Sequence, residues 1–183
     1  MKIPGCQIVD QHAPHFLTFT VVYWIDAFTR PHYKQLLTDS LTFYQKKIGL
    51  QVHAYVIMSN HMHLIVTSPR KSLSDWIRDY KRWVSRKMRL LIQEDVESRK
   101  VWMYNLFRWR GDRNSRNDDF QFWVQDNCPK YISTHAFAQQ KIEYIHQNPV
   151  KAQLVYQAED YVWSSAQDYA GRKGPIDVDI WMY

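Results

Sequence analysis

The sequence predicts an α+β fold, a mainly antiparallel sheet covered on one face by helices. Three observations lead there. Candidate elements run strand, helix, strand, strand, helix, strand, helix, so that hairpins alternate with helices. A tight turn, SNH at 59–61, joins two apolar runs and makes an antiparallel hairpin of them. The length of 183 residues, with 45% hydrophobic residues, suits one domain with a sizeable core. We read 1–183 as that single domain, with a core of about 15–150 and a tail of 151–183 packed against it.

Each element has a local cause. HFLTFTVVYW (15–24) is rich in β-branched and aromatic residues and reads as a strand. Residues 31–48 begin with Pro31 and place Tyr33, Leu36, Leu37, Leu41, Tyr44 and Ile48 at helical spacing before Gly49 stops them. QVHAYVIM (51–58) and the run to Ser68 form the hairpin. Residues 72–93 read as a helix capped by Ser72 or Ser74, with Asp75 in its first turn. The charged stretch 94–119 reads as a mobile loop, and FQFWVQDN (120–127) as a strand. Residues 134–148 read as a helix closed by Asn148-Pro149, since a residue before proline is pushed off helical geometry.

Composition narrows the function classes. No apolar run approaches the ~18 residues of a membrane helix, and Pro, Asp and His interrupt any signal-peptide core, so a soluble cytoplasmic protein with no membrane partner is expected. Two cysteines far apart, Cys6 and Cys128, with no CxxC pair, argue against a zinc ribbon and read as reduced thiols. A net charge of +6 hints at a polyanion. Aromatics make 15% of the chain, and several lie among bases, as in WIRDYKRWVSRKMR (76–89) and LFRWRGDRNSR (106–116). Rings that stack on unpaired bases beside cations that hold phosphates suit single-stranded or distorted nucleic acid. Arg78, Lys81, Arg82, Arg86 and Arg113 are the candidate phosphate contacts and Trp109 a candidate stacking ring; a solvated surface is the competing reading of each.

The chemistry-bearing residues fall in two places. In SNHMHLIV (59–66), His61 and His63 share one face of a strand, either as half of a metal site or as two polar residues on its wet side. In IEYIHQNPVK (142–151), Tyr144 and Asn148 share a helix face four residues apart. A phenol can serve as a covalent nucleophile and an amide oxygen can join a ligand set, although a packed tyrosine and a helix-end asparagine are the commoner uses. Together with the histidines this makes a mixed N/O site suited to Mg²⁺ or Mn²⁺, with positions open for substrate oxygen.

The hairpin with HMH, followed by a helix carrying YIHQNPVK and then WSSAQDY (163–169), resembles the single-tyrosine HUH transposases of insertion sequences, closest to the REP-associated branch. The resemblance runs from about residue 15 to about residue 169. It implies a ferredoxin-like antiparallel sheet of four to five strands. It implies Tyr144 as nucleophile, and His61, His63 and Asn148 as ligands of a divalent metal. The implied activity is cleavage and rejoining of single-stranded DNA, often presented by a hairpin, through a 5′-phosphotyrosine. With Gln140 and Asn148 one turn from Tyr144, the chain looks like a one-tyrosine enzyme. The resemblance leaves open a homodimer that exchanges the tyrosine helix or a monomer. Gln153 stands where relatives often have glycine, which bears on the local turn alone. The competing reading is a non-catalytic hairpin DNA-binding protein derived from a transposase.

Overall fold

The computed structural model describes residues 7–94, 97–114, 119–125 and 127–182. The elements run β1 (His15–Thr20), α1 (Pro31–Ile48), β2 (Gln51–Ile57), β3 (His61–Thr67), α2 (Leu73–Glu94), α3 (Lys100–Asp112), β4 (Lys130–Tyr131), α4 (His135–Lys151) and α5 (Ala166–Tyr169). Four strands pair in the order β2-β3-β1-β4, each pair antiparallel. β3 inserts between β1 and β2, and α1 crosses over it, which is the ferredoxin-like arrangement.

Local signals set the helix ends. Pro31 opens α1, and Gly49 closes it at φ 67 with its N–H on the Gln45 carbonyl. Of the two candidate caps of α2, Ser72 is used: its hydroxyl accepts from the Asp75 N–H at 3.2 Å and donates to the Asp75 carboxylate at 2.9 Å. Thr134 caps α4 by accepting from the Phe137 N–H.

The period-two pattern divides the core. Leu17, Phe19, Met62, Leu64 and Val66 point to the face covered by α1 and α2, where they meet Leu37, Leu41, Trp76 and Tyr80. Phe16, Val56 and Ile65 point to the opposite face and pack on Ala138, Ile142 and Ile145 of α4. Helices therefore cover both faces of the sheet, not one. Alternation along a strand marks which residues share a side, but His63 and Ile65 on the second side of β3 are buried as well, and that requires two layers.

Three further expectations are corrected. Residues 100–112, expected within a loop, form α3: Met103, Phe107 and Gly111 recur every four residues and are buried, a stripe obscured by the surrounding charges. Gly111 is required there, since a Cβ would lie 2.3 Å from the Phe120 nitrogen. Residues 95–96 and 115–118 of the expected mobile stretch lie outside the described residues. The segment 120–125 is no strand, because Phe122 and Trp123 are both buried, which breaks alternation, and Trp123 makes one isolated bridge to Val21. The edge strand is the short β4, on His15 and Phe16. Finally, α4 continues through Pro149 to Lys151. Pro149 leaves the Ile145 carbonyl without its usual donor, yet Ile145, His146 and Pro149 are all buried and packing holds the helix.

α4 ends in a Schellman turn, with Gln153 N–H on Val150 and Leu154 N–H on Pro149. Gln153 takes φ 57, so the left-handed turn persists without glycine. The tail then returns along β2: the Ile57 N–H bonds Trp163, the Ser165 N–H bonds Tyr55, and the sheet edge is covered. Ser165 Oγ also meets His146 Nε2 at 2.9 Å, tying α4 to this edge. Cys128 is disulfide-bonded, not the reduced thiol expected of it. Cys6 lies outside the described residues.

Candidate functional site

The register of β1 on β3 places Thr18 opposite His63 and Thr20 opposite His61. Both imidazoles rise from the α4 face, with ring centres 4.8 Å apart. Tyr144 comes from α4 above them, its ring centre 5.1 Å from that of His63 and 6.0 Å from that of Phe16. Asn148, one turn on, lies within hydrogen-bonding reach of His61. The fold thus brings together His61, His63, Tyr144 and Asn148, which the sequence separates by more than eighty residues, and all four come from one chain.

Neighbouring groups orient these side chains. Nδ1 of His61 meets Asn60 Oδ1 at 2.7 Å, and Nδ1 of His63 meets Thr18 Oγ1 at 2.8 Å. With each Nδ1 engaged, the Nε2 atoms are left for another partner. That of His63 is buried and has no hydrogen-bond partner among the described residues. The Asn148 amide donates through Nδ2 to the Tyr144 carbonyl at 2.7 Å, which leaves its Oδ1 to accept or ligate. Burial, with His61 and Lys141 adding to it, pulls the His63 imidazole down to about 3. Burial also lowers His61, opposed by the Asn148 contact. Both rings are therefore neutral at pH 7, the form that binds a metal.

Two imidazoles and one amide oxygen fit a divalent ion in type and orientation, and an orphaned buried nitrogen on His63 has the chemistry of a ligand in want of a cation. Among the described residues no group of three or more His, Cys, Asp or Glu side chains is placed to hold a metal, here or elsewhere; at this site the third donor would be the Asn148 amide. Tyr144 is 41% exposed, open to a substrate from outside. The Lys141 and Lys151 ammonium groups lie 5.6 and 6.0 Å from its ring centre, where they can meet phosphate oxygens.

Sequence reasoning missed this supporting ring. Thr18 and Asn60 read as ordinary strand and turn residues; the β1/β3 register reveals the role of Thr18, and the hydrogen bonds of the turn that of Asn60. Lys141 sits three residues before Tyr144 and was legible as a helix-face neighbour.

The predicted DNA contacts divide. Arg78, Lys81, Arg82 and Arg86 line an open groove of about 620 Å³ between α2 and a wall made by residues 119–125 and Asn127. Arg78 is held by Asp75 and Asp79, and Lys81 donates to the Val124 carbonyl and Asn127 Oδ1. Arg82 and Arg86, one turn apart, are exposed. Trp109 and Arg113 lie elsewhere, at the end of α3, with the guanidinium 3.9 Å over the indole.

Beside His61 the chain makes an unusual turn. Tyr23 and Trp24 adopt φ 57 and 56, left-handed values that cost a bulky residue roughly 1–2 kcal/mol each. The Asn60 amide bonds the Trp24 carbonyl and Asp26 while its oxygen receives His61, so one side chain fixes both the turn and the ring. Arg99 adds a bond to the Asp26 carbonyl and is itself anchored by the buried Glu97, whose carboxyl Arg99 and Arg30 pull down to about 2.

The profile of the IS200-like transposases matches residues 9–111, more than half the chain, and the chain belongs to that family. The match takes in β1 to α3 with both histidines and stops before α4. In structure the chain is similar to a REP-associated tyrosine transposase solved bound to a REP hairpin, with 17% identity and a TM-score of 0.64 over 97% of this chain and 92% of that one. A Deinococcus radiodurans R1 protein assigned as a transposase aligns at 19% identity and a TM-score of 0.44, over 80% of this chain and 98% of that one. No curated protein sequence matches significantly. No helix among the described residues is long and apolar enough to cross a membrane.

Proposed function

We propose that this IS200-like transposase cleaves and rejoins single-stranded DNA through a covalent link to Tyr144. The observation that carries the reading is the convergence of Tyr144, with its ring centre 5.1 Å from His63, on two neutral histidines whose Nδ1 atoms are already engaged. Tyr144 Oη attacks the scissile phosphorus; a P–Oη bond forms and the P–O3′ bond breaks. The phenolic proton is lost and the leaving oxygen is protonated to a free 3′-hydroxyl. A 3′-hydroxyl then attacks the 5′-phosphotyrosine, and the phenol is restored. The ester keeps the bond energy, so neither ATP nor a nucleophilic water enters.

His61, His63 and Asn148 would hold a Mg²⁺ or Mn²⁺ ion, which when bound supplies charge stabilisation at a non-bridging phosphate oxygen. The chain's own residues do the positioning. Thr18 and Asn60 hold the imidazoles, the Tyr144 carbonyl holds Asn148, and Lys141 and Lys151 flank the nucleophile. Since α4 docks on the sheet of its own chain, the reading needs no second copy for a complete site. The hairpin bound by the structurally similar transposase suggests a hairpin substrate here too, its stem phosphates meeting Arg82 and Arg86.

The test mixes the protein with labelled single strands carrying hairpins from around its gene, with Mn²⁺, on a denaturing gel. The expected result is a label at protein mass, absent with chelator and reduced by at least about 10³-fold in Tyr144→Phe, which has no nucleophile. An adduct that survives Tyr144→Phe overturns the assignment. Hairpin binding with no adduct would instead favour a non-catalytic binding protein.

A further inference from the structure

Three large rings stand exposed in sequence along the surface that leaves His61. Trp24 is 63% exposed, with its ring centre 5.8 Å from His61. Tyr23, 49% exposed, lies 6.1 Å from Trp109, which is 47% exposed and carries the Arg113 guanidinium on its face. We propose that Trp24, Tyr23 and Trp109 form a stacking track for unpaired nucleotides, which leads single-stranded DNA to the His61 end of the site and closes on Arg113 as a phosphate contact. The proposal rests on the strand-transfer reading above and names how the substrate's unpaired strand is held.

Two independent features support it. First, Tyr23 and Trp24 are placed by their backbone and not by burial of their rings. The left-handed turn is clamped by the Asn60 amide on the Trp24 carbonyl and by the Val21 and Trp24 backbone bonds. A packed aromatic would gain from being buried; these two pay in strain and remain open, as expected where strain serves a site. Second, the track is continuous with the site through one residue, since Asn60 bonds both the turn and His61. The occupant is a single strand and not a duplex, because only an unpaired base presents a face to a ring.

The test reads binding alone. The full chain in chelator, which prevents cleavage, is titrated into a fluorescein-labelled 12-nucleotide DNA single strand and followed by anisotropy. Trp24→Ala is expected to weaken binding about 5- to 100-fold and Trp24→Phe to restore most of it. Affinity for the same sequence as a duplex should stay within twofold. Trp24→Gly is expected to weaken binding equally while raising the thermal midpoint, because glycine relieves the turn. Single-strand affinity unchanged by Trp24→Ala, equal loss on duplex, or a lowered midpoint in Trp24→Gly would each overturn the track. Tighter, Trp24-dependent binding of RNA of the same sequence would overturn the assignment to DNA. The two readings fail separately: an adduct with no Trp24 effect removes the track alone, and a Trp24 effect with no adduct removes the chemistry alone.

Discussion

The two faces of the sheet are built to different rules. Against α1 and α2, the inward residues Leu17, Phe19, Met62 and Leu64 are wholly buried among leucines and aromatics. Against α4, the same strands present Thr18, His61 and His63, and the layer also buries His146 and Ser165. One face is dry and serves stability. The other gathers two imidazoles, and Nε2 of His63 has no partner among the described residues; the first face also buries unpartnered polar atoms, on Tyr55, Trp76 and Trp123, but an indole N–H or a phenol lacks the neutral imidazole's ligating nitrogen. Adjacent residues of β3 belong to opposite regimes, so neighbouring substitutions can separate stability from chemistry.

The largest contrast is at 63 and 64. Leu64→Ala is expected to lower the unfolding free energy by about 2–5 kcal/mol, since it opens a cavity on the dry face. His63→Leu keeps the volume and removes the orphaned nitrogen, and should change stability by less than about 1.5 kcal/mol. Denaturant melts with and without Mn²⁺ check both. Mn²⁺ should stabilise the wild type and Leu64→Ala by linkage, by about 2.7 kcal/mol at a hundred times Kd, and leave His63→Leu unmoved. Loss of stability in His63→Leu comparable to Leu64→Ala would erase the distinction between the faces.

Acid should act through the α4 face. Burial pulls His146 down to about 4, below the ordinary histidine value near 6.5. On acidification the unfolded chain therefore takes up the proton first. Stability is complete above about pH 6.5 and is lost as pH falls toward 4, by about 3 kcal/mol for this group. Melts across that range should show the decline in wild type and a shallower one in His146→Gln. An equal slope in the variant would mean that other groups carry the effect.

The smallest effect lies at the end of α4. Gln153→Gly should raise stability by about 1 kcal/mol, because glycine takes φ 57 without strain. A fall in the melting midpoint would show that the Gln153 side chain contributes more than its backbone costs.

Much of this was legible because the signals are local. Pro31, Gly49 and Ser72 each act within a turn of their own position, and α1 and α2 lie within a residue of where spacing puts them. The pairing of His61 with His63 needs only the two-residue period of a strand. The helix face shared by Tyr144 and Asn148 needs only the four-residue period of α4. What failed was whatever depended on burial against a distant partner. α3 is a helix because Met103 and Phe107 find the core, and Phe122 and Trp123 are both buried because they pack on Phe28. α4 passes Pro149 because its buried face outweighs one lost hydrogen bond.

By itself, then, the sequence determined the α+β class, most of the elements and the four residues proposed to carry the chemistry, since periodicity and residue type are properties of short stretches. Only the tertiary structure decided that helices cover both faces, that Thr18 and Asn60 turn the imidazoles, and that α4 sets Tyr144 over His63 within one chain. Those outcomes depend on strand register and on which surfaces bury one another, and both are settled by contacts between residues far apart in sequence.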